Sequence, residues 1–524
     1  MEDAEMEDFI TQHAASLQPV SPDIIRAVPA HQALCRFARP LRGGPPDHRA
    51  SYQTSRISTF WSHSWHGNPW LKALTALWLY NSLPAAVVST AGALVAAGLY
   101  FLEILPGLDY WEKGYEYPRS LWASGVGIVL YGTTLFLWPA RQPIFLDILC
   151  IDQHDSARKT AGILSMGAFL KCSESMLVLW DRTYTHRLWC IFELSAYLHS
   201  RPDGAKHNLV VRPVLLGPCY LLLTLALTSI TVAVGSIPEE NKAVLWSTQA
   251  VILAVAFYPS VASYRQYFRA LEGLHCELET FTLQGTECEC CRLDHVRNGE
   301  RLACDRQVVL RCLTSWFGSA AHFEELVRSE VLQTLMHELS TEFFRYKRCI
   351  APLIPVAWSY LDTASAEARK HWGVGRHLYT EVTKELVRGA AWWLCVVPSL
   401  LLVFLRLAHC LRAKPSKPCC DLLINALILL CVVAMFLAAV QLEFACMLAH
   451  SAIVPVDSDW RGMHTAMMFF AALSLPAAAL LFRCCGVRPV FPRFDPRKNC
   501  HTFEEAPADR SQATQGKAGT RIQL

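Results

Sequence analysis

Ser173-Glu174-Ser175-Met176-Leu177-Val178-Leu179-Trp180, then Tyr184, then Arg187-Leu188-Trp189-Cys190-Ile191-Phe192-Glu193-Leu194, is the stretch on which the fold turns. Met176–Trp180 is a short unbroken apolar run, the pattern of a strand covered on both faces. Leu188–His199 reads as the helix that follows it. Working upstream, Ile144–Ile151 is a second apolar run, read as a buried strand along its whole length. It ends in the polar loop Asp152-Gln153-His154-Asp155. Ser156 then caps a helix carrying Ile163, Leu164, Met166, Gly167 and Leu170. Downstream, Asn208–Val214 is another strand after a helix. Further upstream, Ile57–Trp65 is a short strand ending in the turn His66-Gly67-Asn68-Pro69, with Pro69 suited to a first helical turn. Strands alternating with helices predict a parallel sheet. Ligands of such a sheet are expected beyond the C-terminal ends of its strands.

The rest of the 524 residues is dominated by apolar helix-length segments. Hydrophobic residues make up 52% and charged residues 18%, against roughly 25% charge in an ordinary soluble domain. Mean hydropathy is +0.23. Sixteen tryptophans suit a chain with many membrane interfaces. A net charge of +3 is too balanced for a nucleic-acid partner, and none is expected. The 21 cysteines are too dilute for a disulfide scaffold, and the acidic start Met1–Asp8 lacks the positive charge of a secretory leader. These features predict a multi-pass protein of the lipid bilayer with reduced cytosolic parts.

A spanning helix needs about 20 apolar residues. Seven windows approach this: Leu83–Leu102, Leu121–Trp138, Val214–Gly235, Ala243–Ala262, Gly389–Leu405, Leu422–Leu442 and Met463–Phe482. The fifth is short and interrupted by Pro398-Ser399. The segment between the second and third windows holds nine Lys and Arg, whereas Glu103–Ser120 holds two against four acids. Basic loops face the cytosol, which places the N-terminus and segments 139–213 and 263–388 there. With seven crossings the basic stretches at Arg412/Lys414/Lys417 and beyond Arg483 would lie outside. A crossing at Ile350–Leu361 would repair this but is too short, so the expected total is six to eight. Apart from His464 at the start of the last, none of the windows contains Asp, Glu, Lys, Arg or His, which weighs against an ion-coupled transporter. The polar Gln249 and Asn425 read as contacts between helices.

The strand-loop-helix element resembles the core of a TIR (Toll/interleukin-receptor/resistance) domain. There a strand leads through an aromatic loop into a helix bearing Trp-Cys and then Glu-Leu, as in Trp189-Cys190-Ile191-Phe192-Glu193-Leu194. Trp61-Ser62-His63-Ser64-Trp65 with Gly67 is similar to the family's first strand and turn, and Phe145–Asp155 to its second strand and loop. The resemblance covers roughly 95 residues and implies a flavodoxin-like α/β fold. A membrane hairpin interrupts it, and the family's last strand and helix are missing or displaced. The resulting expectation is a helical multi-pass membrane protein with an N-terminal cytosolic segment (1–56) and a TIR-like domain in two parts (57–82 and 139–213). Around these lie transmembrane hairpins (83–138 and 214–262), a Cys-rich amphipathic region (263–388), a transmembrane bundle (389–482) and a disordered tail (483–524).

For function the resemblance implies a signalling or scaffold module acting by self-association or by recruiting other TIR-like domains. In TIR proteins that cleave NAD, a glutamate on this helix faces the nicotinamide ribose, and its counterpart is Glu193. Ser62, His63, Ser64, Asp152 and Trp189 would then help hold NAD as substrate. A membrane-tethered NAD glycohydrolase is thus one alternative, and a transporter or channel with a TIR-like regulatory part is another. Separately, Cys288, Cys290, Cys291, His295 and Cys304 supply enough soft ligands for zinc. Their spacing lacks the usual C-x2-C knuckle, so free or lipidated thiols near a membrane are the reading that the spacing favours. From Asp305 an amphipathic pattern runs through Val308, Val309 and Leu313 to Met336, read as helix packed on the sheet domain or the membrane surface.

Overall fold

Ile57, Thr59, Phe60 and Trp61 favour extended backbone, and they form the strand on which the sheet is ordered. The computed structural model describes residues 2–108, 110–112, 115–201, 208–237, 242–297, 300–301, 303–333, 335–336, 346–372, 376–453 and 462–485. Residues 238–241, between the third and fourth apolar windows, and all but three residues of the expected tail lie outside them. The main sheet contains β1 (Arg26–Pro29), β2 (Tyr52–Gln53), β3 (Ile57–His63), β4 (Pro143–Phe145), β5 (Ser173–Trp180) and β6 (Leu209–Pro213). Their spatial order is β2-β1-β4-β3-β5-β6. The last four run parallel: Phe60 faces Phe145 and Met176 across β3, and Trp180 faces Pro213.

Three expectations require correction. The sheet is mixed, not purely parallel, because β1 runs antiparallel to β4 and β2 antiparallel to β1. The N-terminal residues are therefore built into the domain: Ala27 and Val28 are fully buried, and Arg26 Nε donates to Ser51 Oγ at 2.9 Å. The apolar run Ile144–Ile151 is strand only to Phe145. Asp147–Cys150 is a single helical turn, with Asp147 Oδ1 accepting from the Ile148 N–H at 2.7 Å. Leu146, Leu149, Cys150 and Ile151 are all buried, so the run reports burial, which a strand and a covered helical turn share. Finally, the helix after β3 and the first apolar window are one element. This helix, α1 (Pro69–Phe101), is capped by Asn68, whose Oδ1 accepts from the N–H groups of Trp70 and Leu71.

Among the described residues, six helices are long and apolar enough to cross a membrane: Pro69–Phe101, Leu216–Ser236, Val244–Glu279, Leu378–Cys410, Pro418–His450 and Thr465–Cys484. The second window forms α2 (Trp122–Leu137), whose 16 residues rise only about 24 Å. Helix α2 packs along α1, and α3 (Ile354–Lys370) packs on both. Gly127 is required there, since a Cβ at that position would lie 2.6 Å from the Trp358 ring.

The helices outrun the charge-free windows and carry ionisable groups. Among the described residues, Arg265 is fully buried and donates to Asn425 Oδ1 at 2.6 Å and to the Leu411 carbonyl at 2.8 Å, with Asp421 as its ion-pair partner at 2.7 Å. Glu443 is buried and accepts from Arg388 and from Trp392 Nε1. Both are pairings between helices.

Asp362 on α3 caps α2, accepting from the N–H groups of Ala123 and Ser124 and from the Ser120 hydroxyl, each at 2.8 Å. Asp362→Ala removes a cap and leaves buried donors unpaired. The expected loss is about 2–3 kcal/mol, read as a lower melting midpoint of the detergent-solubilised chain.

Candidate functional site

The winding of the sheet reverses beside β3: the chain crosses from β3 to β4 on one side, then returns to place β5 on the other. In an open parallel sheet, the loops at such a reversal part, and ligands bind beyond the strands' C-terminal ends. Here those ends are His63 and Trp180. Ser62 is the next-to-last residue of β3, Tyr184 lies in the turn after β5, and Cys190 and Glu193 sit on α4 (Leu188–His199).

Ser62 Oγ and Glu193 Oε2 are 2.5 Å apart, with the hydroxyl donating, and the Tyr184 hydroxyl lies 2.8 Å from Ser62 Oγ. The same tyrosine oxygen is 3.3 Å from the Cys190 carbonyl. Ser62 and Tyr184 are buried, while Glu193 keeps a partly accessible edge. Burial pushes the Glu193 carboxyl up to about 8, the Ser62 hydrogen bond opposes the shift, and Asp147 reinforces it. Around this cluster, Trp65 Nε1 donates to Asp147 Oδ2 at 2.9 Å and Thr183 Oγ1 donates to Ser64 Oγ at 2.6 Å. Lys72 Nζ donates to the Ser64 carbonyl at 2.6 Å. His63 is buried edge-on to Trp65, and burial holds its imidazole neutral, well below the usual histidine range. A Cβ at Gly67 would fall 1.6 Å from Asp181 Oδ2, so a larger residue there would have to displace that carboxylate.

Ser62, His63, Ser64 and Glu193 thus gather in one place, but Trp189 and Asp152 do not join them. Trp189 is one turn from Glu193, yet its Nε1 donates to Asp305 Oδ2 at 3.1 Å and its ring meets Phe192. It faces α5 (Asp305–Phe317), whereas Glu193 faces β3. Asp152 lies 3.7 Å from His48 Nδ1 and caps its own loop by accepting from the N–H groups of His154 and Asp155. Arg187 reaches His66, not Glu193. Tyr184, Cys190 and Asp147 enter the site through pairings with Ser62, His63 and Trp65 that are distant in sequence, whereas Lys72 reaches Ser64 from the first turn of α1. No local spacing singles out Asp147 or Lys72.

The thiol cluster lies against the start of α4. One ligand atom from each of Cys290, Cys291, His295 and Cys304 falls within 4.8 Å of the others. Cys288 belongs to a second group with Cys290 and Asp305. Glu287 pairs with the chain entering α4: its N–H donates to the His186 carbonyl at 2.6 Å, and its carbonyl accepts from Leu188 at 3.3 Å. The amphipathic helix α5 packs on α4, with Trp316 against Phe192 and His199.

No family model, curated protein or solved structure was found to match the chain.

The raised Glu193 carboxyl sets a pH signature. An unfolded glutamate ionises near 4.5, so between there and about 8 the folded state holds a proton that the unfolded state has lost. Stability contributed by this residue therefore falls as pH rises through that window and levels off above it. Glu193→Gln removes the dependence. Its stabilisation over the parent should be small at the acidic end and on the order of a few kcal/mol at the alkaline end. Melting midpoints of the two proteins across the window give the test.

Proposed function

We propose that this chain is a multi-pass membrane protein whose sheet domain is a TIR-like module working by self-association or by recruiting other TIR-like domains. The parallel strands run second, first, third, fourth in space, which is the order of flavodoxin-like sheets and supports that fold. The Trp189-Cys190 and Glu193-Leu194 pairs lie on the helix after the third parallel strand, in keeping with the resemblance. The basic segment 139–213 supports a cytosolic domain, and the six apolar helices support a lipid surround.

The observation that favours assembly over hydrolysis is what Glu193 touches. Stabilising an oxocarbenium-like ribose calls for a charged carboxylate open to substrate. Glu193 is instead bonded to Ser62 beside Tyr184, and a carboxyl pushed up to about 8 is mostly neutral at pH 7. Such a group braces α4 against β3 and leaves the outer surface of the domain to meet partners. The NAD hydrolase reading keeps one point in its favour, the position of Glu193 at the reversal of the sheet, where ligands bind. Against the transporter reading, Arg265 and Glu443 are committed to neighbouring helices.

Two full-length copies carrying different tags, co-expressed and solubilised, are expected to co-purify through either tag and to show dimers or larger species in lipid nanodiscs. A monomer over a wide concentration range, with no co-purification, overturns self-association. NAD consumption that is lost in Glu193→Gln overturns the assembly reading in favour of hydrolysis.

A further inference from the structure

We propose that Cys290, Cys291, His295 and Cys304 bind a single zinc ion, which fastens the segment after the fourth apolar window to the helix carrying Glu193. The donor set is three thiolates and one imidazole, a composition of structural zinc sites. All four ligand atoms lie within 4.8 Å of one another. Zinc–sulfur bonds of about 2.3 Å set the edge of a tetrahedron at about 3.8 Å. The Cys291 and Cys304 sulfurs are 3.8 Å apart. Cys290 and Cys304 are buried, and Cys291 and His295 are half-buried.

Two further observations point to a ligand. His295 Nε2 is buried with no hydrogen-bond partner among the described residues, a state that costs about 1–3 kcal/mol unless something binds the nitrogen. Asp294 and His295 also hold φ of 49° and 57°, left-handed values that non-glycine residues adopt at a cost. This turn folds the histidine back over the short helix Glu289–Arg292, with its N–H on the Cys290 carbonyl at 2.8 Å. The strained turn is what brings the imidazole to the thiols.

Three thiolates and a neutral imidazole around Zn2+ leave a net charge of −1. The Asp305 backbone N–H, 3.3 Å from Cys290 Sγ, donates to that sulfur and offsets part of it. Cys288 Sγ is 3.1 Å from Cys290 Sγ and lies outside the four-ligand group, so it acts as a neighbour of Cys290 and not as a ligand. Binding releases the three thiol protons to solvent. Mechanically the ion would lock both ends of a short path to α4: Glu287 precedes the first thiol and pairs with residues 186–188, and Asp305 follows the last and holds Trp189.

The full-length chain, purified in detergent with reductant and without chelator, is expected to carry one zinc per chain by elemental analysis. Co2+ exchanged into the site should give the visible bands of tetrahedral thiolate coordination. Cys288→Ser should keep the metal, whereas Cys291→Ser and His295→Gln should lose most of it. Stripping the metal from the parent should raise amide exchange in residues 186–193, and adding Zn2+ back should restore protection. Little or no zinc with no one-to-one uptake, zinc retained in both ligand variants, or a Cys288–Cys290 disulfide in the fresh protein would each overturn the proposal. So would amide exchange that does not respond to the metal, as far as the fastening role is concerned. None of these readouts depends on self-association or NAD turnover.

Discussion

The pairing of β3 with β5 is the constraint on which the domain depends. Ile57 through His63 lie in register with Ser173 through Leu179, joining segments separated by about 110 residues that include α1 and α2. Closing so long a loop is entropically tolerable, because each doubling of length adds only about 0.6 kcal/mol. Once closed, the register places Ser62 opposite Val178 and carries its hydroxyl to the helix that follows β5. β4 then has one position left, on the free side of β3, and the reversal of winding follows from that.

Because α1 is a single helix of 33 residues, the Ser62–Ser64 turn and the first candidate span are mechanically continuous. Asn68 starts the helix, and Lys72 in its first turn reaches back to the Ser64 carbonyl. A displacement of the span would therefore act directly on the end of β3. At the other end of the domain, Thr75 Oγ1 on α1 donates to the Val214 carbonyl at 2.6 Å, and Gly217 donates to the same hydroxyl. The exit from β6 into Leu216–Ser236 is thus tied to the entry into α1, and the sheet rests against two apolar helices at once.

The amino-terminal helix Glu2–Ser16 closes the opposite flank. The N–H of Cys304 donates to Glu7 Oε1 at 3.1 Å, and Trp316 Nε1 donates to the Ala15 carbonyl at 2.9 Å. Ile10 and Ala14 share a small apolar cavity with Trp189, Phe192, Val308 and Val309. The indole of Trp189 is thereby drawn away from the sheet reversal and into the packing of three segments that are far apart in sequence. A thiol cluster on one side of α4 and a buried carboxyl on the other make that helix the meeting point of the domain.

Composition, hydropathy and residue pattern alone determined the apolar helices, the β3 and β5 strands and the α4 helix. Each rests on a periodicity or an apolar run that water enforces locally. That Ser62 and Glu193 share a site was suggested only by the resemblance to a TIR domain, and their contact is made by tertiary structure. The extent of β4, the antiparallel edge made by Arg26–Pro29 and Tyr52–Gln53, and the true lengths of the helices were decided only by tertiary structure. Burial rewards an apolar residue equally in a strand and in a covered turn, so Ile144–Ile151 carries no mark of where β4 stops. The direction of Trp189 was likewise set by Asp305, more than 100 residues away. Helical spacing places two side chains near one another, but only the hydrogen-bond partner supplied by the rest of the fold decides which way each one points.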